Sequence, residues 1–300
     1  MTESILVTGG AGYIGSHVCK ALAAEGFLPV VYDDLSGGYR DAVRWGPFVL
    51  GDLTDAARLE TAFRQYQPAA VIHLAGYIAA GESVSHPAKY YENNILGSLT
   101  LLEVMRRRQV DALVFSSSAA VYGAAAEMPI AEDAEIRPSN PYGHTKAMTE
   151  QFLKDYRTAY GLRSISLRYF NAAGADPEGE IGEMHEPETH LIPLVLEAAA
   201  GLRAQIDIFG GDHETPDGTC VRDYIHVCDL AQAHVLALRR LLDGGCDGAE
   251  AYNLGNGRGF SVREVVAAAE ERTGNRIPRR ERDRRRGDPP RPMGDPSRAE

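Results

Sequence analysis

The sequence lacks long apolar runs, a signal-like amino terminus and paired cysteine motifs. No segment approaches the roughly 18 consecutive apolar residues of a membrane-spanning helix. The opening residues, MTESILVTGG, contain no basic region followed by a long apolar region, so no secretory signal is predicted. The cysteines form no CxxC pair, which predicts reduced thiols and a cytoplasmic protein; they are Cys19, Cys220, Cys228 and Cys246.

Basic residues and metal-ligand patterns are also scarce. The 31 Lys and Arg residues are outnumbered by 42 Asp and Glu, and the formal net charge is −11. An acidic chain binds nucleic acid poorly unless its basic residues cluster, so no nucleic-acid or membrane partner is expected. We predict no metal, because the histidines other than His190 show no metal-ligand spacing with cysteines or carboxylates; they are His17, His73, His86, His144, His185, His213, His226 and His234.

The chain does contain enough apolar surface for a core. Hydrophobic residues make up 44% of the 300 residues, which excludes general disorder. Strand-like and helix-like segments alternate over the first two-thirds, which predicts an α/β fold with a doubly wound, mostly parallel sheet. The predicted strands are Ile5–Thr8, Leu28–Tyr32, Ala70–Leu74, Ala112–Ser116 and Ser164–Arg168, and the predicted helices are Tyr13–Glu25, Asp55–Tyr66, Pro87–Arg108 and Pro141–Tyr160.

The pattern changes after Asn171. Gly, Pro, Glu and His dominate residues 174–190, which predicts a loop. We predict a Rossmann-type domain over residues 1–170, to which 227–254 returns, and a smaller mixed substrate-binding lobe formed by 171–226 and 255–300. The stretch 276–298 contains nine Arg, four acidic residues and five Pro, and it is predicted to be a solvated or disordered arm. Later elements are expected at Leu191–Ala200, Gln205–Phe209, Val227–Leu242, Tyr252–Leu254 and Val262–Thr273.

A glycine-rich turn joins the first strand to the first helix. Its sequence, TGGAGYIGSH over residues 8–17, places glycines at Gly9, Gly12 and Gly15. Such glycines permit a tight turn and let the backbone approach a pyrophosphate at the helix N-terminus. The position between strand and helix therefore predicts a dinucleotide site rather than an unliganded turn.

An aspartate follows each of the next two strands. Asp33 ends the second strand, where a carboxylate accepts hydrogen bonds from adenosine ribose hydroxyls and repels a 2′-phosphate. This favours NAD over NADP as the cofactor. Asp52 follows the third strand and is predicted either to meet the adenine amino group or to serve as a turn residue.

A Tyr and a Lys four residues apart form the second chemical motif. Tyr142 and Lys146 lie on one face of a predicted helix. A neighbouring ammonium favours the phenolate, so we expect Tyr142 to act as a base near neutral pH. Ser118 follows the strand that precedes this helix, and its hydroxyl is expected to bind a substrate oxygen or relay a proton to Tyr142.

These motifs, in this order, resemble the UDP-glucose (UDP-galactose) 4-epimerases, which are extended short-chain dehydrogenase/reductases. The resemblance runs from residue 5 to about residue 298. Besides TGGAGYIGSH, its most specific stretches are FSSSAAVYG (115–123), NPYGHTK (140–146), LRYFNAAGADP (167–177) and DGTCVRDYIHV (217–227). It implies NAD-dependent epimerisation at C4 of a UDP-hexose through a transient 4-keto sugar, in a homodimer.

The resemblance also implies roles for individual residues. Tyr142 is the implied acid and base, Lys146 its electrostatic partner, and Ser118 the proton relay. The implied NAD-binding residues are Gly9, Gly12, Tyr13, Ile14, Gly15, Asp33, Asp52, Leu53, Ala75, Gly76, Asn93, Ser116, Tyr142, Lys146 and Tyr169. The implied UDP-sugar ligands are Ser118, Tyr142, Asn171, His190, Leu191, Phe209, Arg222, Arg285 and Asp288.

Three positions depart from the resembled family. Ile78 stands where many members have a Lys on the NAD phosphates, which implies looser NAD retention. His190 replaces an Asn, and Pro292 stands where a Tyr or a small residue bounds the sugar pocket. A pocket without Tyr admits a 2-acetamido group, so a UDP-N-acetylhexosamine substrate is the first alternative. Members also continue for a further terminal segment, which implies that this chain is truncated.

Two other activities are known on folds of this type. A nucleotide-sugar dehydratase needs an acid pair beside the serine, whereas Ser118 precedes Ala119 and Ala120. A non-catalytic NAD-binding sensor typically loses the Tyr or the Lys, and both are present here. Catalysis is therefore the favoured prediction, with the sensor kept as the second alternative.

Overall fold

A seven-stranded, wholly parallel sheet forms the centre of the molecule. The computed structural model describes residues 2–124, 127–284 and 293–299. The strand order is β10-β6-β5-β4-β1-β2-β3, so the chain winds outward in both directions from β1 and β4. The strands are β1 (Ser4–Thr8), β2 (Leu28–Asp33), β3 (Phe48–Leu50), β4 (Ala70–His73), β5 (Ala112–Ser116), β6 (Arg163–Tyr169) and β10 (Ala249–Leu254).

Helices cover both faces of this sheet and explain the continuous apolar strands. Alternate residues of β1 point to opposite faces, so Ile5 packs with one layer and Leu6 with the other. Helices α1 (Tyr13–Ala24) and α8 (Val227–Leu242) form the first layer. The second layer contains α2 (Ala56–Tyr66), α5 (Gly97–Arg108) and α6 (Pro141–Tyr160). The predicted doubly wound α/β fold is confirmed.

Smaller sheets carry the remaining strands. β9 (Val221–His226) lies between β7 (Asn171–Ala173) and β11 (Gly259–Ser261), and β8 (Ile206–Phe209) pairs with β12 (Arg279–Arg282). Helices α7 (Leu191–Ala199) and α9 (Val262–Thr273) pack together over a small core that contains Ile277. The division into two lobes stays a prediction.

Two predictions about local structure need correction. The stretch 276–298 is not wholly a solvated arm, since Arg279–Arg282 pairs with β8 and Ile277 is buried. The predicted helix Pro87–Arg108 is not one regular helix. It comprises α4 (Pro87–Tyr90), a π-helical turn (Tyr91–Leu96) and α5, and a short helix, α3 (Ala80–Ser85), precedes it. Within the described residues, no helix is both long and apolar enough to cross a bilayer.

Candidate active site

A cavity of about 440 Å³ opens beside the carboxyl ends of β1 and β4. The chain turns in opposite directions after these two strands, which leaves a crevice between their following loops. The glycine-rich turn after β1 and residues 74–79 after β4 form one part of its wall. Residues 118, 142 and 169–172 form another part.

The glycine-rich turn is compact because two backbone segments approach closely. A Cβ atom on Gly15 would lie 2.1 Å from the carbonyl oxygen of Gly9. Gly9 has φ of 74° and would place a Cβ 2.6 Å from the amide nitrogen of Ala75. Gly12 caps α1 without a side-chain hydrogen bond. The first amides of α1 are therefore available to an anion.

Asp33 and Asp52 have different surroundings. Asp33 is 8% exposed, lines the cavity and accepts hydrogen bonds from the amides of Ala11 (3.0 Å) and Leu35 (2.8 Å). Burial raises the pKa of Asp33, and these two bonds oppose that rise. Asp52 lies outside the cavity lining and accepts two hydrogen bonds from Thr54, at 2.7 Å each. Of its two predicted roles, the geometry favours that of a turn residue.

The π-helical turn presents an unpaired polar atom at the cavity. Asn93 lies in this turn and lines the cavity, and its Oδ1 is buried without a hydrogen-bond partner. The next residue, Asn94, exchanges hydrogen bonds with the backbone of Tyr77, at 2.9 and 3.0 Å. Unsatisfied buried acceptors are costly, so Asn93 is suited to a ligand that donates a hydrogen bond.

Tyr142 and Ser118 meet at the cavity wall. Tyr142 lies in the first turn of α6, which Asn140 caps, and Ser118 follows β5. Each residue is 9% exposed, and the Ser118 hydroxyl lies near enough to the Tyr142 phenol to oppose a rise in its pKa. The backbone amide of Ala120 donates to Ser118 Oγ at 3.1 Å, which fixes that hydroxyl. The two hydroxyls therefore lie beside the same cavity.

Lys146 lies behind Tyr142 and is not part of the cavity lining. Its Nζ donates to the carbonyl oxygen of Ser116 at 2.7 Å and lies 5.9 Å from the centre of the Tyr142 ring. Burial lowers the pKa of Lys146 to about 8. Burial also raises the pKa of Tyr142, and the nearby Ser118 hydroxyl opposes this rise. The expected lowering of the Tyr142 pKa by Lys146 is therefore wrong for this structure, because desolvation dominates.

A buried ion pair supports the helix that carries both motif residues. Glu150, one turn beyond Lys146, accepts hydrogen bonds from Arg168 at 2.9 and 2.6 Å and from Ser117 Oγ at 2.6 Å. The side chains of Glu150 and Arg168 are only 6% and 4% exposed. This pair joins α6 to β6 and to the segment that leads to Ser118.

The cavity brings together most of the predicted site residues. Its lining contains Gly9, Gly12, Tyr13, Ile14, Gly15, Asp33, Leu53, Ala75, Gly76, Asn93, Ser118, Tyr142, Tyr169, Asn171 and His190, together with Ile78. The predicted residues outside that lining are Asp52, Ser116, Lys146, Leu191, Phe209 and Arg222. Arg285, Asp288 and Pro292 lie outside the described residues.

Glu183 and His185 line the cavity although sequence reasoning assigned them to a plain loop. They lie with Glu188 and His190 in one group whose ligand atoms are all within 4.8 Å of one another. The expectation that His185 has no carboxylate at metal-ligand spacing is therefore wrong. The sequence feature that indicates this group is the run Glu-x-His-x-x-Glu-x-His over residues 183–190. The Gly and Pro residues around it are typical of a loop, and only the loop was predicted.

Charges within this group stabilise one another. A hydrogen bond with Glu183 raises the pKa of His190, although burial opposes the rise. Burial disfavours the charged form of Glu183, but the imidazoles of His185 and His190 outweigh it and hold the Glu183 pKa at about 2. The two imidazoles thus favour the charged form of Glu183, and Glu183 favours the charged form of His190.

Comparison with known proteins gives a consistent result. The family model described as "NAD dependent epimerase/dehydratase family" matches residues 5–255. A UDP-glucose 4-epimerase of Rhizobium leguminosarum bv. trifolii is 52% identical over 286 residues, which is 95% of this chain and 87% of the relative.

Solved structures agree with that match. The UDP-glucose 4-epimerase of Brucella ovis in complex with NAD is 53% identical, with a TM-score of 0.96 over 99% of this chain and 91% of that one. The enzyme of Bifidobacterium longum in complex with NAD+ and UDP is 38% identical, with a TM-score of 0.94 over the same shares of the two chains.

Proposed function

We propose that this chain interconverts UDP-galactose and UDP-glucose by inverting C4 of the sugar. The chain belongs to the NAD dependent epimerase/dehydratase family. Relatives and structural neighbours named UDP-glucose 4-epimerase cover nearly the whole chain. The observation that carries the proposal is that Tyr142 and Ser118 line the same cavity as the glycine-rich turn. The dinucleotide motif and the proton-transfer pair thus face the same space.

The residues around the turn fit NAD. The close approach of Gly15 to Gly9 leaves no room for a side chain where a pyrophosphate is expected. Asp33, held by two amides, is suited to ribose hydroxyls, and Asn93 provides an unpaired acceptor. When bound, NAD supplies the redox chemistry by accepting a hydride from C4 of the sugar and returning it to the opposite face.

Tyr142 and Ser118 handle the proton on the sugar 4-oxygen. Oxidation of the C4 hydroxyl releases one proton, which Tyr142 accepts through its phenolic oxygen. Reduction of the 4-keto sugar consumes one proton, which Tyr142 returns, so the cycle is balanced without net redox change. Ser118 donates a hydrogen bond that stabilises the phenolate. Lys146 adds positive charge when protonated and holds Ser116 through its carbonyl oxygen.

The UDP-sugar is proposed to lie across the other side of the cavity. Asn171 and His190 line it and offer polar groups to the diphosphate or the sugar. Phe209 ends β8 and Arg222 lies in β9, on the two smaller sheets. We retain both as uridine diphosphate ligands on the resemblance alone, together with Leu191, Arg285 and Asp288.

The experiment is conversion of UDP-galactose by purified protein with no cofactor added. Products are separated by chromatography, and Tyr142→Phe is compared with Tyr160→Phe, a matched control at the exposed end of the same helix. The proposal expects UDP-glucose from the native chain and from the control, and none from Tyr142→Phe. Conversion by Tyr142→Phe at the native rate would refute the role of Tyr142. Absence of conversion by the native chain, even with added NAD, would refute the activity.

The comparisons do not favour the alternatives raised by the sequence. UDP-N-acetylgalactosamine is included in the same assay as a second substrate, and we expect slower conversion than with UDP-galactose. A binding-only sensor would retain NAD and convert neither sugar.

Assembly and location are further parts of the proposal. Leu96, in the π-helical turn, and Met148, in α6, are 51% and 41% exposed, and these two elements pack against each other. Burial of such side chains favours a homodimer, and Leu96→Asp is expected to shift the protein to a monomer in sedimentation analysis.

The four free cysteines suit a reducing compartment, so a cytoplasmic location is proposed.

A further inference from the structure

Two glutamates and two histidines converge just before α7. Glu183, His185, Glu188 and His190 all belong to one eight-residue segment, and His190 is the residue that caps α7. His190 Nδ1 lies 2.9 Å from oxygens of both Glu183 and Glu188. His185 Nδ1 lies 3.2 Å from Glu183 and 3.6 Å from Glu188. Each imidazole thus directs its Nδ1 at both carboxylates.

Ordinary hydrogen bonding does not account for this arrangement fully. An imidazole Nδ1 carries at most one hydrogen, so His190 can donate one well-aligned bond to its two carboxylate neighbours. His185 Nδ1 is buried and has no hydrogen-bond partner despite its short distance to Glu183. The side chains of Glu183 and Glu188 are only 9% and 8% exposed. Buried carboxylates of this kind are normally paired with cations or coordinate a metal.

The group is nearly as compact as the ligands around a small tetrahedral cation. Zinc binds imidazole nitrogen and carboxylate oxygen at about 2.0–2.2 Å, which places neighbouring ligand atoms of a tetrahedron about 3.3–3.6 Å apart. The nitrogen–oxygen distances in the group are 2.9, 2.9, 3.2 and 3.6 Å, with Glu188 facing His190 through Oε1 and His185 through Oε2. Three of the four are shorter than the tetrahedral separation, so the side chains must move apart to admit an ion. Small shifts of these side chains would complete the geometry. Two imidazoles and two carboxylates are also a donor set that suits zinc rather than magnesium or calcium.

We propose that Glu183, His185, Glu188 and His190 bind one divalent transition-metal ion, with zinc the best fit. Protein atoms would fill all four coordination positions of the ion, which is typical of a structural rather than a catalytic zinc site. The ion offsets the two buried negative charges and fixes the segment 183–190 at the edge of the cavity. His185 also packs edge-on against Tyr13, with ring centres 6.2 Å apart, so the fixed segment contacts the start of α1.

This site shares His190 with the proposed substrate site, but metal binding can be measured without the reaction. The coordinating atom of His190 is Nδ1, which leaves Nε2 for a contact with substrate. The competing explanation is a metal-free ion-pair network with protonated histidines, and metal binding distinguishes the two directly. The test therefore measures the ion itself, and its result stands whether or not the proposed reaction is found.

The experiment uses the full chain without an affinity tag. Chelator-treated protein is titrated with Zn²⁺ and, separately, with Co²⁺, whose visible absorption reports tetrahedral nitrogen and oxygen ligands. His185→Gln and Glu188→Gln remove one ligand each. Glu178→Gln is the matched control, because Glu178 belongs to a second acidic group (Asp176, Glu178 and Glu180) that already holds Lys20.

We expect one equivalent of Zn²⁺ to bind the native chain and Glu178→Gln, with a tetrahedral Co²⁺ spectrum. Loss of one of four ligands in His185→Gln and Glu188→Gln should weaken binding at least as much as loss of an outer-shell partner, which costs about 10–100-fold. Zinc should also raise the thermal midpoint of the native chain but not of these variants, whose metal-free midpoints establish that they fold. Substoichiometric binding by the native chain, or equal binding by the two ligand variants, would overturn the proposal.

Discussion

The buried pair Glu150–Arg168 offers a sharp test of how the site is supported. Glu150→Gln preserves the size of the side chain but removes its charge. Arg168 then remains in the interior beside an amide group, and one of its hydrogen bonds to Glu150 meets an NH2 group instead of an oxygen. Because both side chains are almost fully buried, water cannot solvate the guanidinium that is left.

Removal of one partner of a buried ion pair costs about 3–5 kcal/mol of unfolding free energy. For a chain of this size, such a loss lowers the thermal midpoint on the order of 10 °C. The matched control is Glu197→Gln, which breaks a pair with Arg203 whose side chains are 38% and 41% exposed. Exposed pairs contribute about 0–1 kcal/mol, so the control should remain close to the native chain.

Urea denaturation, followed by circular dichroism, measures the difference. The double variant Glu150→Gln/Arg168→Met has no unpaired charge, so its loss should be smaller than the sum of the two single losses. A loss below about 1 kcal/mol for Glu150→Gln would refute the reasoning, since it would mean that water reaches the guanidinium or that the pair is not formed.

Two further predictions follow from the geometry of the site. The pKa of Lys146 is about 8 in the folded chain, against an ordinary value of 10.5. Between pH 8 and pH 10.5 the unfolded state therefore binds more protons than the folded state, so the free energy of unfolding rises with pH. Denaturation at pH 8 and pH 10 should therefore show the native chain gaining about 2–3 kcal/mol relative to Lys146→Met, and an unchanged difference would contradict the buried amine. Gly15→Ala places a methyl group 2.1 Å from Gly9 O and should abolish NAD retention, measured as protein-bound nicotinamide after gel filtration. Gly248→Ala, where the added Cβ meets nothing within 4 Å, is the control that should retain it.

The sheet could be predicted from sequence because local patterns and tertiary structure agree there. Strands such as Ala112–Ser116 are continuous apolar runs, since helices cover both faces, and turn residues delimit them. The strand-turn-helix context of Gly9–Gly15 and the position of Ser118 after β5 indicated one edge of the sheet, and the cavity lies there. These features depend on short stretches of chain, which a sequence displays directly.

Other features depend on contacts between distant segments and were missed. Arg279–Arg282 has an arginine-rich sequence typical of exposed chain, but its backbone pairs with β8. The pKa of Tyr142 depends on how deeply the fold buries it, which the spacing to Lys146 does not reveal. The convergence of His185 and His190 on two glutamates depends on how the loop before α7 folds.

The most direct test of the central claim follows an isotope through the reaction. UDP-galactose carrying deuterium at C4 is incubated with the purified chain in ordinary water, and the UDP-glucose formed is analysed by mass spectrometry. If hydride leaves C4 and returns from NAD that stays bound, the product keeps its deuterium. Exchange of the label with solvent protons would contradict a hydride cycle and with it the proposed mechanism.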